Sequence, residues 1–275
     1  MGIAEEEAEL AREMRQFVKE DVPALLARVQ HQLENAERRW VRMEAQEEEM
    51  GKAMKAKIKI DGYVVADAEI EVNLRRGHLV NAKLEKSCVM DQLIEFHRML
   101  QAQYRHIEHV VQALNKQVAL VEDANLSVWV ALVEVVIEEL NRSCQALRKG
   151  GNAVRLPSNR RFPYCTQLDH QFQPPLPSDM LIDFSVHQAR LVIEAFVVSA
   201  STKPIDEVLS AANKKEFAGQ VTVFRGQTIE IVKQTSVTLA LPGLDDMLAV
   251  LDIQVASLLH ARDQAEALLQ CQTVI

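Results

Sequence analysis

Three histidines stand close together in the middle of this chain, at His97, His106 and His109. A spacing of three between His106 and His109 would set both on one face of a helix, where two imidazoles could share a metal ion. The apolar stripe of the same stretch runs Leu93, His97, Leu100, Tyr104, Ile107, Val111, Leu114, Val118, Val121. His106 and His109 fall off that stripe and are expected to face solvent, whereas His97 lies on it and reads as a core or interface residue. Ser178-Asp179 invites a nucleophile reading. A serine nucleophile needs a base within hydrogen-bond reach and a strained, glycine-rich turn. The G-x-S-x-G pattern is absent, so the pair reads as structural. Cys88, Cys144, Cys165 and Cys271 form no C-x-x-C, which removes the zinc-ribbon and thioredoxin patterns. The phosphate-cradling glycine loops, H-E-x-x-H and the EF-hand loop are also missing. Carboxylates such as Glu44 to Glu49 occupy a polar helix face. Trp40 and Trp129 sit on apolar stripes and read as core. Arg262, also on a stripe, is expected either to pair with a buried carboxylate or to lay its stem along the apolar surface with its head in water. The residues thus assign no catalytic, cofactor-binding or metal-binding position, and the expectation is a protein that is not an enzyme and carries no cofactor.

Charge narrows the partners. The 275 residues carry 31 basic and 39 acidic side chains, a net charge of −8. An acidic chain is a poor partner for nucleic acid or an anionic membrane. The basic pairs Arg75-Arg76, Arg160-Arg161 and Lys214-Lys215 are short and lack interleaved aromatics, so they read as solvated surface. No apolar run approaches the roughly 20 residues that span a bilayer. The opening "MGIAEEEAEL" is too acidic for a signal or transit peptide, and Gly2 lacks the serine or threonine context of myristoylation. These features predict a soluble, reduced, cytoplasmic protein.

The elements that must position these residues follow from spacing. Nine glycines and eight prolines are few for this length, since an average chain holds about 12% of the two. Residues 78–149 contain neither, and residues 3–50 only Pro23, the signature of long helices. Leu26, Val29, Leu33, Ala36, Trp40 and Met43 step by three and four. So do Leu126, Trp129, Val133, Val136, Leu140 and Cys144, and at the C-terminal end Leu244, Leu248, Leu251, Val255, Leu258, Arg262, Ala265 and Leu269. Such stripes are the seams of four-helix bundles and coiled coils. Glu5 to Glu7 suit a helix N-terminus, Gly150-Gly151 is expected to stop one helix, and Pro242-Gly243 with Asp245-Asp246 to start the last. Asp21 before Pro23 marks either a restart or a kink.

Two stretches change to a period of two. Ile58 and Ile60 share a face, and after Asp61-Gly62 so do Ala68, Ile70, Val72 and Leu74, against Asp67, Glu69, Glu71 and Asn73; "RRGH" turns into Leu79–Leu84. Met180, Ile182, Phe184 and Val186 alternate with Asp183, Ser185 and His187, which predicts a half-buried strand. "HQAR" turns into Leu191–Val198, and "VTVFRGQTIEIV" reads as a hairpin around Arg225-Gly226, with a short helix over 201–213 between. Pro157, Pro163, Pro174, Pro175 and Pro177 make the approach to the second β stretch a stiff extended lead-in reaching Asp179. The predicted fold is α+β in two lobes. Residues 1–50, 86–173 and 243–275 would form an antiparallel four-helix, coiled-coil-like bundle, and residues 51–85 and 174–242 a β lobe with one shared sheet.

Three stretches resemble one family. "PPLPSDMLIDFSV" (174–186), "GLDDMLAVLDIQVASLLHARDQ" (243–264) and, less closely, "GYVVADAEIEVNL" (62–74) are similar to segments of the Rogdi leucine-zipper-containing proteins, which include the small subunit of the RAVE complex, the regulator of the ATPase of vacuoles and endosomes. The resemblance implies a helical lobe built as a bundle beside a β lobe, and a non-catalytic role. It also implies a large WD-repeat, β-propeller partner and the peripheral sector of the proton-pumping V-ATPase, whose reassembly such proteins promote, with recruitment from the cytoplasm to vacuolar or endosomal membranes through those partners. A chain that uses all four seams internally would be a monomer. The alternative is a stand-alone homodimeric leucine-zipper scaffold, with a nuclear role as the zipper name suggests.

Overall fold

The computed structural model describes residues 3–40, 53–75, 78–121, 125–157, 171–205, 217–224 and 226–272. Met43, Glu44–Glu49, Arg76, Arg160, Arg161, Pro163, Cys165, Lys214, Lys215, Arg225 and most of the helix expected over 201–213 lie outside the described residues. The fold is α+β, with its strands in two antiparallel sheets. The chain forms two compact units, residues 1–37, 97–151 and 247–275 in one, and residues 38–96 and 152–246 in the other.

The first unit is helical. Helices α1 (Ile3–Gln16) and α2 (Val22–Trp40) run on through a π-helical turn, Phe17–Asp21. Pro23 explains that turn. Proline donates no hydrogen bond, and its ring collides with the carbonyl four residues back in an α-helix. The widened turn absorbs the misfit, with the Val22 N–H reaching back to the Phe17 carbonyl. The undecided restart or kink is therefore a continuous helix with a π-bulge. Helices α3 (Asp91–Leu120), α4 (Leu126–Arg155) and α5 (Pro242–Gln272) contribute the rest. Their seams are buried: Leu26, Val29, Leu33 and Ala36 on α2; Leu100, Tyr104, Ile107, Leu114 and Val118 on α3; Trp129, Val133, Val136, Leu140 and Cys144 on α4; Leu248, Leu251, Val255, Leu258 and Ala265 on α5.

Gly150-Gly151 does not end α4, which continues to Arg155. Gly150 is there for space: a Cβ at that position would lie 1.9 Å from the Met99 methyl of α3. The helix stops five residues later, where Pro157 follows Leu156.

The second unit holds both sheets. In the first, β1 (Met54–Asp61), β2 (Val64–Arg75), β3 (His78–Leu84) and β5 (Phe172–Gln173) stand in that order, and β4 (Cys88–Val89) pairs with β2. The period of two is realised. Met54, Ala56, Ile58 and Ile60 alternate with exposed residues along β1, and Ala68, Ile70 and Val72 of β2 share the buried face. Gly62 turns the β1–β2 hairpin at φ +59°.

The second sheet runs β6 (Met180–His187), β7 (Arg190–Ala200), β9 (Gln227–Ala240), β8 (Val221–Phe224). Two expectations fail here. The β stretches do not share one sheet, and β6 is not half-buried, since Met180 through Val186 are buried on both faces, Asp183 at 1% and Ser185 at 7% exposure. Sequence alternation cannot tell a solvated polar face from one covered by other chain segments, and here the polar face is covered. The lead-in also ends differently. Pro177 to Met180 form a turn, closed by the Met180 N–H donating to the Pro177 carbonyl at 2.9 Å, with Ser178 and Asp179 at its centre.

Candidate functional site

The polar groups with chemical potential are gathered in three places. The first lies between α2 and α3 of the helical unit. Glu37 follows the seam residue Ala36 and is only 6% exposed. His97, Gln101 and Tyr104, spaced four and three along α3, present one stripe to it. His97 Nδ1 lies 2.6 Å from Glu37 Oε1, while Gln101 Nε2 and the Tyr104 hydroxyl donate to Oε2 at 3.3 and 3.0 Å. A buried carboxylate is tolerable only with such partners. His97 is thus the half-buried interface histidine its place on the seam predicts. His106 is not turned to solvent: its Nε2 lies 3.1 Å from Glu139 Oε2 of α4, both side chains about three-quarters buried. His109 is exposed. Among the described residues no three His, Cys, Asp or Glu side chains are placed to hold a metal ion together. Arg262 takes neither expected role in full. It pairs with exposed carboxylates of its own helix, Asp263 at 2.5 Å and Glu266 at 3.5 Å. Cys144 is buried, and burial raises its thiol above the ordinary range.

The second place is inside the second sheet. Asp183 of β6 and Glu194 of β7 are register partners, so their side chains share a face. Glu194 is 9% exposed, and burial holds its carboxyl above the ordinary carboxylate range, partly offset by a 2.7 Å hydrogen bond from Gln234 Nε2. The other end of that amide, Gln234 Oε1, accepts the Phe217 N–H at 2.7 Å. Phe217 then seats its ring in a cluster with Leu181, Phe196, Val198, Ile229 and Ile231. The Gln234 amide therefore links a buried carboxyl to the segment that leads into β8.

The third place is the outer face of the first sheet. Lys55, Lys57 and Lys59 of β1 stand opposite Glu71, Glu69 and Asp67 of β2, and Glu69 also opposes Lys83 of β3. Opposite charges across strands support the register. Lys83 binds Glu69 at 2.8 Å, which lowers the Glu69 carboxyl and raises the Lys83 ammonium from their ordinary values, while Lys55 lies 3.4 Å from Glu71. Between these rows runs an open groove of about 590 Å³ that reaches Gln173 and Pro174. A second groove of about 520 Å³ passes Ser178 and Asp179 along β7 and β9. Ser178 is exposed on its turn, with neither a histidine nor a lysine hydrogen-bonded to it among the described residues.

Spacing identified His97 but passed over Glu37, Asp183 and Glu194. The usable signal for Glu37 is its position directly beside a seam residue. For the other two it is an acidic residue inside an otherwise apolar run on each of two strands joined by a tight turn.

A comparison with curated proteins gives no match. The family model described as Rogdi leucine zipper containing protein matches residues 17–238, from the π-helical turn nearly to the end of β9. Two of the three resembling stretches, 174–186 and 62–74, lie inside those residues, and 243–264 lies beyond them. With most of its length matched, the chain belongs to the Rogdi leucine-zipper-containing family.

Proposed function

We propose that this chain is a non-catalytic adaptor subunit that works with a large WD-repeat partner to promote assembly and reassembly of the proton-pumping V-ATPase of vacuoles and endosomes. Family membership over residues 17–238 is the observation that carries the reading. The engagement of its polar groups agrees with it: Glu37, His97 and Tyr104 join helices, and Glu194 and Gln234 join strands. No described helix is long and apolar enough to cross a membrane, which suits recruitment through partners.

The reading includes a bundle of α2 to α5 in which the seams are spent internally. Cross-helix contacts support it, from Gln254 of α5 to Gln32 of α2 and from Cys144 of α4 to the Val255 carbonyl of α5. The free protein is then a monomer, and size-exclusion with light scattering tests that point; a dimer would favour the zipper scaffold instead.

The decisive experiment is affinity purification of the chain from its own cells, with the co-purifying chains identified, alongside vacuolar and endosomal pH in a deletion strain. A β-propeller protein and peripheral-sector subunits should co-purify, and deletion should raise luminal pH when the pump must reassemble. Normal acidification with an unchanged membrane-bound peripheral sector would refute the proposal.

A further inference from the structure

In an antiparallel pair, alternate residues turn their N–H and C=O groups toward the partner strand and the others turn them away. Among the described strands, β6 is the outermost of its sheet and pairs with β7 alone, so its outward groups are a template for another chain. The outward set is identified by Val186, whose N–H and C=O are both bonded to the side chain of Gln92, at 2.8 and 2.9 Å. A residue on a neighbouring strand would offer the same donor and acceptor. Two residues before Val186, the outward N–H of Phe184 donates to the carboxylate of Asp183 at 2.8 Å. Six residues before Val186 along the same alternation, beyond Ile182, the N–H of Met180 is taken by the Pro177 carbonyl.

We propose that Gln92, Asp183 and the Pro177 turn form a seal on the outer edge of β6, and that this seal keeps the strand from pairing with the same strand of a second copy of the chain. Three features argue for that occupant. Residues 180–186 are buried on both faces, so pairing must proceed along the backbone edge. The run "MLIDFSV" is apolar apart from Asp183 and Ser185, the composition that pairs with its own copies when an edge is open. Asp183 turns a carboxyl oxygen onto that edge to take the Phe184 N–H, and an acidic side chain at an edge is a known guard against strand addition.

Gln92 is itself held in place. Its amide also donates to the Ala153 carbonyl of α4 at 3.0 Å. The next two carbonyls of that helix, Val154 and Arg155, accept the N–H groups of Ala189 and Gln188 at 3.1 Å each. These two residues form the β6–β7 turn with φ of +57° and +52°, a left-handed conformation that is strained for residues other than glycine. The last turn of α4 therefore fixes the seal from one side and the strand's own hairpin from the other.

The test is amide hydrogen exchange and sedimentation velocity on the full chain. In Gln92→Ala the Val186 amide should exchange at least about tenfold faster, since the acceptor bonded to it among the described residues is removed, while Ile193, inside the sheet, keeps its protection. The variant should also form a dimer across a dilution series, and Gln92→Ala/Val186→Pro should return to a monomer, because proline removes the N–H that a second strand would need. Gln92→Glu supplies an independent arm that retains the side-chain shape: it keeps an acceptor for Val186, so slow exchange at that amide should survive. Unchanged Val186 exchange in Gln92→Ala, a variant that stays monomeric throughout the dilution series, or a dimer that persists with proline at 186 would each overturn the proposal.

Discussion

Replacing Glu37 by alanine should be among the most damaging single changes in the helical unit. The side chain is 6% exposed and is bonded to three residues of α3. The Tyr104 hydroxyl is buried, so losing its charged acceptor costs about 1.5–3 kcal/mol. The His97 pair, on a side chain about one-third exposed, is discounted for solvent screening to about 1 kcal/mol. The Gln101 contact at 3.3 Å on an exposed side chain adds little. Lost packing of the Glu37 methylenes adds about 1 kcal/mol. The total is about 3–5 kcal/mol, a large part of the roughly 5–15 kcal/mol that holds a folded protein together, and it corresponds to a fall in melting temperature of about 10 °C. Urea and thermal unfolding followed by circular dichroism would measure it. Tyr104→Phe alone should cost about 1–2 kcal/mol, and less in the Glu37→Ala background, because the bond between the hydroxyl and Glu37 is already gone. A Glu37→Ala loss below about 1 kcal/mol, or strictly additive costs in the double variant, would refute the reasoning.

Three further outcomes are expected. Glu194→Gln should be more stable than the parent near neutral pH. The parent's carboxyl has a raised value in the folded state, so the stability of its neutral form is fully present below the unfolded carboxylate value and is lost as pH climbs through the folded one. The advantage of the variant should therefore shrink as pH falls into the ordinary carboxylate range, and a pH-independent difference in urea midpoints would contradict this. Gly150→Leu should cost about 1–3 kcal/mol by driving a side chain into Met99, and Met99→Ala in the same chain should recover part of it in thermal melts. Ser178→Ala, on an exposed turn, should stay within about 0.5 kcal/mol of the parent, whereas Ile182→Asp puts an unpaired charge in a fully buried position and should cost several kcal/mol or prevent folding, as solubility and circular dichroism would show.

What the sequence determined by itself is local and periodic. Steps of three and four fixed which faces of α2, α3, α4 and α5 are apolar, and most of the described seam residues named from spacing are buried, with Val111, Val121, Leu126 and Leu269 partly exposed, because a helix can bury only the stripe its own geometry lines up. Alternation likewise placed the first three strands and the hairpin turn at Gln188-Ala189, since side chains on a strand change sides at every residue. The tertiary structure decided everything that depends on what lies opposite. Whether Gly150 ends a helix or makes room in one depends on Met99, fifty-one positions earlier in the chain. Whether Asp183 meets water depends on segments that cover its sheet, and the alternating pattern is the same in either case. Glu37, His97 and Tyr104 form one buried group only because α2 and α3 pack side by side, and Gln92 meets Val186 only because the start of α3 reaches the edge of β6. Hydrogen bonds between residues far apart in sequence leave no periodic trace, so these polar groups became legible only in three dimensions.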